Sequence, residues 1–251
     1  MAGQFDGKVA LVTGGATGIG RETALAFAAA GARVAALDVA EREGQDTVAT
    51  IGKAGGTARF FRCDVANGAQ VRETIAAVVA AYGRIDCAFN NAGVLGARLH
   101  VHEYPDEEFE RIVRIHLFGV FYCLKHELVQ MQKQGGGAIV NTSSVAGLLG
   151  SALGCAYTAA KHGIAGLTKA AAIDNGPHNI RVNAVCPGII DTPLTRAGFD
   201  DIDARSAQVH ALGRVGKPTE IAAAVLWLCS DAASLITGIT MPVDGGWTAS
   251  M

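Results

Sequence analysis

Lys8-Val9-Ala10-Leu11-Val12-Thr13-Gly14-Gly15-Ala16-Thr17-Gly18-Ile19-Gly20 is the stretch on which the fold turns. An apolar run of strand length ends in glycines at 14, 18 and 20, and a helical pattern starts at once. A strand without polar alternation reads as buried on both faces, as in a parallel sheet covered by helices. The glycines permit a tight turn, close approach of backbone to a ligand, and close packing of the next helix on the sheet. The start of that helix presents unpaired amides and a positive dipole end to an anion such as a pyrophosphate. Alone the pattern is weak, since the 32 glycines of this chain would produce about 0.5 such matches by chance. Its weight comes from the strand before it and the amphipathic helix after it.

Outward from this stretch the same alternation continues. Strands are expected over 8–13, 33–38, 57–62, 85–90, 138–142, 180–186 and 239–243, and helices over 18–30, 41–54, 67–82, 105–134, 157–176 and 218–230. The pattern predicts an α/β, doubly wound, seven-stranded and mostly parallel sheet with helices on both faces. No linker or composition break interrupts residues 1–251, so a single domain is expected. The stretch 187–217, with Pro187, Gly188, Pro193, Gly198, Gly213 and Gly216, reads as irregular. It follows the carboxyl end of a strand, where ligands bind in open α/β sheets, and is expected to be a substrate lid.

Composition excludes several classes of partner. A net charge of −2, without basic runs, predicts no binding of nucleic acid or anionic membrane. No apolar segment reaches the roughly 20 residues of a membrane-spanning helix, and the first residues lack a signal-peptide pattern. Six cysteines without a C-x-x-C pair read as buried thiols in a reducing, cytoplasmic setting. His100 and His102 have no third ligand in sight, so no metal is expected.

An acidic residue ends the second strand, in Val34-Ala35-Ala36-Leu37-Asp38. There a carboxylate accepts hydrogen bonds from the ribose hydroxyls of NAD. It repels the extra phosphate of NADP, by up to about 4 kcal/mol for like charges about 4 Å apart. Neither Val39 nor Thr17 supplies a compensating cation, so NAD is the expected cofactor. Two alternatives stay open here: Asp38 as a helix N-cap, and nearby Arg42 as a phosphate partner in an NADP-preferring carbonyl reductase.

With these motifs in order, the chain resembles the short-chain dehydrogenase/reductase family, in its branch of about 250 residues. The likeness runs from Lys8 to Gly246. It rests on the glycine motif, Asp64-Val65 after strand three, Asn90-Asn91-Ala92-Gly93 after strand four, Pro187-Gly188 with Thr192, and Val243-Asp244-Gly245-Gly246. The resemblance implies a Rossmann-type fold. It assigns Gly14, Thr17, Gly18, Ile19, Gly20, Asp38, Asp64, Val65, Asn91, Ala92, Gly93, Pro187, Gly188, Ile190 and Thr192 to the cofactor.

Tyr157-Thr158-Ala159-Ala160-Lys161 places a tyrosine and a lysine on one helix face, a spacing that arises about one time in nine by chance. Ser144 lies before them as in the family's Ser–Tyr–Lys set, with neighbouring Ser143 the competing candidate. The reaction implied is hydride transfer between a secondary alcohol, or diol, and a ketone, with Tyr157 as acid/base. Ser144 would polarise the substrate oxygen; Lys161 would lower the phenol's pKa and hold the nicotinamide ribose. Where the family usually has a fourth, water-holding asparagine, this chain has His116. Two readings of it stand, a relay group and a buried helix residue. Ser144, Val145, Ala146, Leu153, Gly154, Tyr157, Ile189, Leu194 and Phe199 are expected around the substrate, a mostly apolar set that suits an uncharged ketone or diol more than an acid. The resemblance also implies a homotetramer, with Ala-rich 157–172 packed on its symmetry mate. A regulator that binds nucleotide without turnover is the reading from another class.

Overall fold

The computed structural model describes residues 3–250. Strands β1 (Val9–Thr13), β2 (Arg33–Asp38), β3 (Thr57–Arg62), β4 (Cys87–Asn90), β5 (Gly137–Thr142), β6 (Ile180–Pro187) and β7 (Thr240–Val243) form one sheet in the order β3-β2-β1-β4-β5-β6-β7. Every pairing is parallel, so the sheet is wholly and not merely mostly parallel. Successive side chains of β1 feed opposite layers. Val9 and Leu11 pack with α3 (Gly68–Tyr82), α5 (Gly119–Gln134) and α6 (Cys155–Asn175), the last two being the fifth and sixth helices of the chain. Ala10 and Val12 pack with α1 (Gly18–Ala29), α2 (Glu41–Lys53) and α9 (Pro218–Cys229). Only β3, at the sheet's edge, alternates exposed and half-buried positions. Among the described residues no helix is long and apolar enough to cross a membrane.

Two expectations need correcting. The helix expected over 105–134 is interrupted: α4 (Asp106–Val113) and α5 flank a widened turn at Arg114–Phe118, where the Gly119 amide reaches back five residues to the Arg114 carbonyl. Such a turn inserts one residue and re-aims the side chains it carries, here moving His116 to the interior. The hydrophobic period spans the insertion, and no breaker residue announces it. The lid over 187–217 is also more regular than expected, holding α7 (Pro193–Gly198) and α8 (Ile202–Val209). Pro193 begins a helix instead of breaking one, because the first turn needs no amide there. Thr192 and Asp201 cap the two helices, accepting from Thr195 N at 3.1 Å and Ala204 N at 2.8 Å.

A polar network lies buried between β4, β5 and two covering helices. Asn90 Nδ2 donates to Glu127 Oε2 at 3.0 Å and to Asn141 Oδ1 at 3.1 Å, and Asn141 Nδ2 donates to Thr168 Oγ1 at 3.0 Å. Asn90 Oδ1 and Glu127 Oε1 are left without partners. Protonation turns Glu127 into a donor, the kind of partner that the Asn90 amide oxygen lacks. Burial pushes the Glu127 carboxyl up to about 7, so the acid form is the one folded in. A folded pKa above the unfolded one contributes stability that is complete below pH 4.5 and lost as pH rises through about 7. Glu127→Gln, an isostere of the acid form, is expected to leave the melting temperature unchanged at pH 4.5. At pH 8 it should raise stability by something on the order of 3 kcal/mol. Thermal denaturation of both proteins at the two pH values checks this.

Candidate active site

Strand order reverses between β1 and β4, so their following segments leave on opposite faces and open a crevice at the strands' carboxyl ends. The Thr13 hydroxyl bridges its floor, accepting the amides of Asn91 at 2.9 Å and Ala92 at 3.1 Å. Gly14 turns away with φ +68°, where a Cβ would lie 2.8 Å from Asn91 Nδ2. At Gly20 a Cβ would run into the Gly14 carbonyl, so the missing side chain is what seats α1 on the turn. Gly20 itself does not line the crevice, whereas Gly14, Thr17, Gly18 and Ile19 do. Thr17 stands at the N-cap of α1 without capping it, which leaves the first-turn amides open to a ligand.

At the end of β2 the Asp38 carboxylate accepts from Ala16 N at 3.1 Å and Ala40 N at 3.0 Å. The N-cap of α2 is Ala40, so the helix-cap reading of Asp38 falls away. Arg42 is exposed and paired with Glu43 at 2.9 Å, and it does not line the crevice. Val39, Asp64 and Val65 complete that end. A glycine cradle, open amides and an acidic residue one strand away fit a dinucleotide, with Asp38 toward the adenosine ribose.

The crevice is one part of a continuous cavity of about 740 Å³ that Asn91, Ala92, Gly93, His116, Ser144, Tyr157, Lys161, Pro187, Gly188, Ile190 and Thr192 also line. Lys161 Nζ donates to the Thr142 carbonyl at 2.7 Å and stands 5.3 Å from the centre of the Tyr157 ring. The Ser143 hydroxyl donates to the Lys161 carbonyl at 2.9 Å, which leaves Ser144 as the serine beside the phenol. Burial raises the Tyr157 pKa, and the Ser144 hydroxyl pulls it partly back. Lys161 is buried as well, and burial brings its own pKa down to about 7.

His116 stands edge-on to Tyr157, ring centres 5.1 Å apart. Its Nε2 lies 2.9 Å from the Val94 carbonyl, while Nδ1 is buried without a partner. Burial, reinforced by the Lys161 charge, holds the imidazole at about 3, so the ring is neutral near pH 7. A Cβ on Gly93 would fall 2.5 Å from its Cε1.

Val145, Ala146, Leu153, Gly154, Ile189, Leu194 and Phe199 line the same cavity. Leu153 holds φ +59°, a conformation costing a non-glycine residue about 1–2 kcal/mol, and its carbonyl accepts the Leu99 amide at 3.2 Å. Sequence reasoning missed Val94, Leu95, Arg98, Arg205 and Trp247 in this lining. It also missed His210, whose Nε2 accepts the Ile189 amide at 3.0 Å while Nδ1–H donates to the Arg214 carbonyl at 2.7 Å, anchoring the base of the lid. The glycines at 245 and 246 before Trp247 were the one local hint. Among the described residues no group of three or more His, Cys, Asp or Glu is placed to hold a metal.

A family profile described as Enoyl-(Acyl carrier protein) reductase matches residues 14–248. A 2,5-dichloro-2,5-cyclohexadiene-1,4-diol dehydrogenase of Sphingobium indicum is 42% identical over 98% of both chains. A cyclohexanol dehydrogenase of Acinetobacter sp. is 41% identical over 99% of this chain and 98% of its own. Among solved structures, an NAD+-bound xylitol dehydrogenase superposes with a TM-score of 0.93 at 36% identity, over 96% of this chain and 99% of the other.

The contact between residues 93 and 116 is directly testable. Gly93→Ala alone is expected to cost about 1–3 kcal/mol, the usual penalty of overpacking. Combined with His116→Asn, whose shorter side chain leaves room, the cost should largely disappear. Denaturant unfolding of the two single variants and the double variant measures that coupling.

Proposed function

The chain belongs to the short-chain dehydrogenase/reductase family, and on that premise we propose that it uses NAD to interconvert a secondary alcohol and a ketone on an alicyclic ring. It is an alcohol/ketone oxidoreductase by its relatives, which are named for cyclic alcohols and diols. One observation carries the proposal: the Ser144 hydroxyl, Tyr157 phenol and Lys161 amine meet in the same cavity whose other end carries Asp38. The choice of NAD rests on Asp38 and on Arg42 being engaged elsewhere. Bound NAD supplies the hydride acceptor and, in its oxidised form, a positive charge beside the phenol.

The chain's own groups handle the proton. Ser144 donates to the substrate oxygen and fixes its position, and Tyr157, reacting as the phenolate, takes the hydroxyl proton as the carbinol carbon gives up hydride. Oxidation therefore gains as pH rises toward the phenol's pKa, and reduction gains as pH falls. Lys161, pinned by Thr142, holds the ribose and lends its proton behind the tyrosine. His116, neutral and with Nδ1 open, takes the place of the family's asparagine as an acceptor in that relay.

We propose a homotetramer as well. Phe121 and Val129 on α5 and Ile173 on α6 are exposed apolar side chains on helices that would meet their symmetry mates. Light scattering is expected to return the mass of four chains, and a monomeric mass would remove this assignment.

The reaction is checked by near-ultraviolet absorbance of NADH formed from cyclohexanol and cyclohexanediols. NAD should support it far better than NADP, and Asp38→Ala should narrow that gap. Tyr157→Phe should lower kcat by about 10²–10⁴-fold, the usual contribution of a positioned acid/base. Turnover near wild type in this variant would rule the mechanism out.

A further inference from the structure

We propose that the substrate carries a carboxylate on the side of its ring remote from the reacting carbon, and that Arg98 and Arg205 receive it at the outer end of the cavity. The assignment deepens the alcohol/ketone reading and rests on it for the position of the reacting carbon.

The charges lining the cavity are sorted along it. Its acids, Asp38 and Asp64, lie at the dinucleotide end, while beyond Ser144 and Tyr157 the charged lining residues are Arg98 and Arg205. Arg98 follows β4 and Arg205 sits on α8, yet both guanidinium carbons lie over the Phe199 ring, each 4.9 Å from its centre. The two charges are thus no farther apart than twice that distance. Among the described residues neither forms an ion pair. Both arginines also border an adjoining hollow with Asp200 and Asp201, but neither carboxylate comes within ion-pair distance of them, and Asp201 accepts the Ala204 amide.

Two unpaired cations gathered on one aromatic ring repel each other, and an anion between them removes that cost. A guanidinium fork matches a carboxylate with two parallel hydrogen bonds. Between this pair and the phenol the walls are apolar, formed by residues such as Leu95, Leu153 and Leu194. Such a space suits a hydrocarbon ring, with its hydroxyl at one end and its acid at the other. This revises the expectation of an uncharged substrate. Both arginines are exposed, so their attraction for an anion is sensitive to salt.

The test compares two ligands of one shape, cyclohexanecarboxylate and cyclohexanecarboxamide, by calorimetric titration with and without saturating NAD. The acid is expected to bind about tenfold more tightly at low salt. Its advantage should fall toward parity at about 1 M salt, where the Debye length is only about 3 Å. Arg98→Met and Arg205→Met should each remove most of it. Equal affinities in the wild type, no binding of either ligand, or an advantage that survives both substitutions would overturn the proposal and leave the arginines as a staple on Phe199. Cyclohexanol oxidation on the same preparations reads the reaction class separately. A preference for the acid with no oxidation of either cyclohexanol or a hydroxycyclohexanecarboxylate would remove the alcohol/ketone reading and leave the anion site standing.

Discussion

Where β1 and β4 lie side by side, the chain leaves them toward opposite faces of the sheet, and the Thr13 hydroxyl fills the notch by accepting the amides of Asn91 and Ala92. The rest of the site is built from that junction. It sets the Gly14 turn against the Asn91 side chain, and Gly20 against the Gly14 carbonyl, so α1 starts at the edge of the crevice. The segment through Gly93 is held at the same point, and His116 can close on it only because residue 93 has no side chain. Thr192, at the base of the lid, comes against Gly18 from the opposite side. A hydroxyl and four glycines thus set the spacing of the glycine turn, the segment after β4, His116 and Thr192.

Burial dominates the electrostatics of the interior. The Tyr157 phenol is pushed up, Lys161 comes down to about 7, and His116 falls to about 3. Glu127, below the site, rises to about 7. Each shift favours the neutral form, as expected where water is excluded. Fixed charge in the cavity lining accordingly comes from Asp38 and Asp64 beside the glycine turn and from Arg98 and Arg205 beside Phe199. Of these groups Lys161 and Glu127 are the two that lie close to exchanging protons near pH 7.

Much of this architecture could be read from residue order. Apolar runs, most of them without alternation, identified the seven strands and implied helices on both faces, because a parallel strand must be buried twice. Ser144, Tyr157 and Lys161 were legible from spacing combined with resemblance. The widened turn at 114–118 was not, because one inserted residue barely disturbs a helical period. The helices of the lid were missed for a related reason: at six and eight residues each, they are too short to show a period.

The sequence alone determined the sheet, the glycine turn, the acid at 38 and the Ser–Tyr–Lys group, since each depends on local pattern or on neighbours within one element. Which serine faces the phenol, and which group moves its pKa, was decided only by packing. Ser143 is spent on the Lys161 carbonyl, and burial sets the direction in which the phenol's pKa moves. The meeting of Arg98, Phe199 and Arg205 is likewise tertiary. Residues a hundred positions apart become neighbours through the crossover connections of a parallel sheet, and no local propensity encodes that approach.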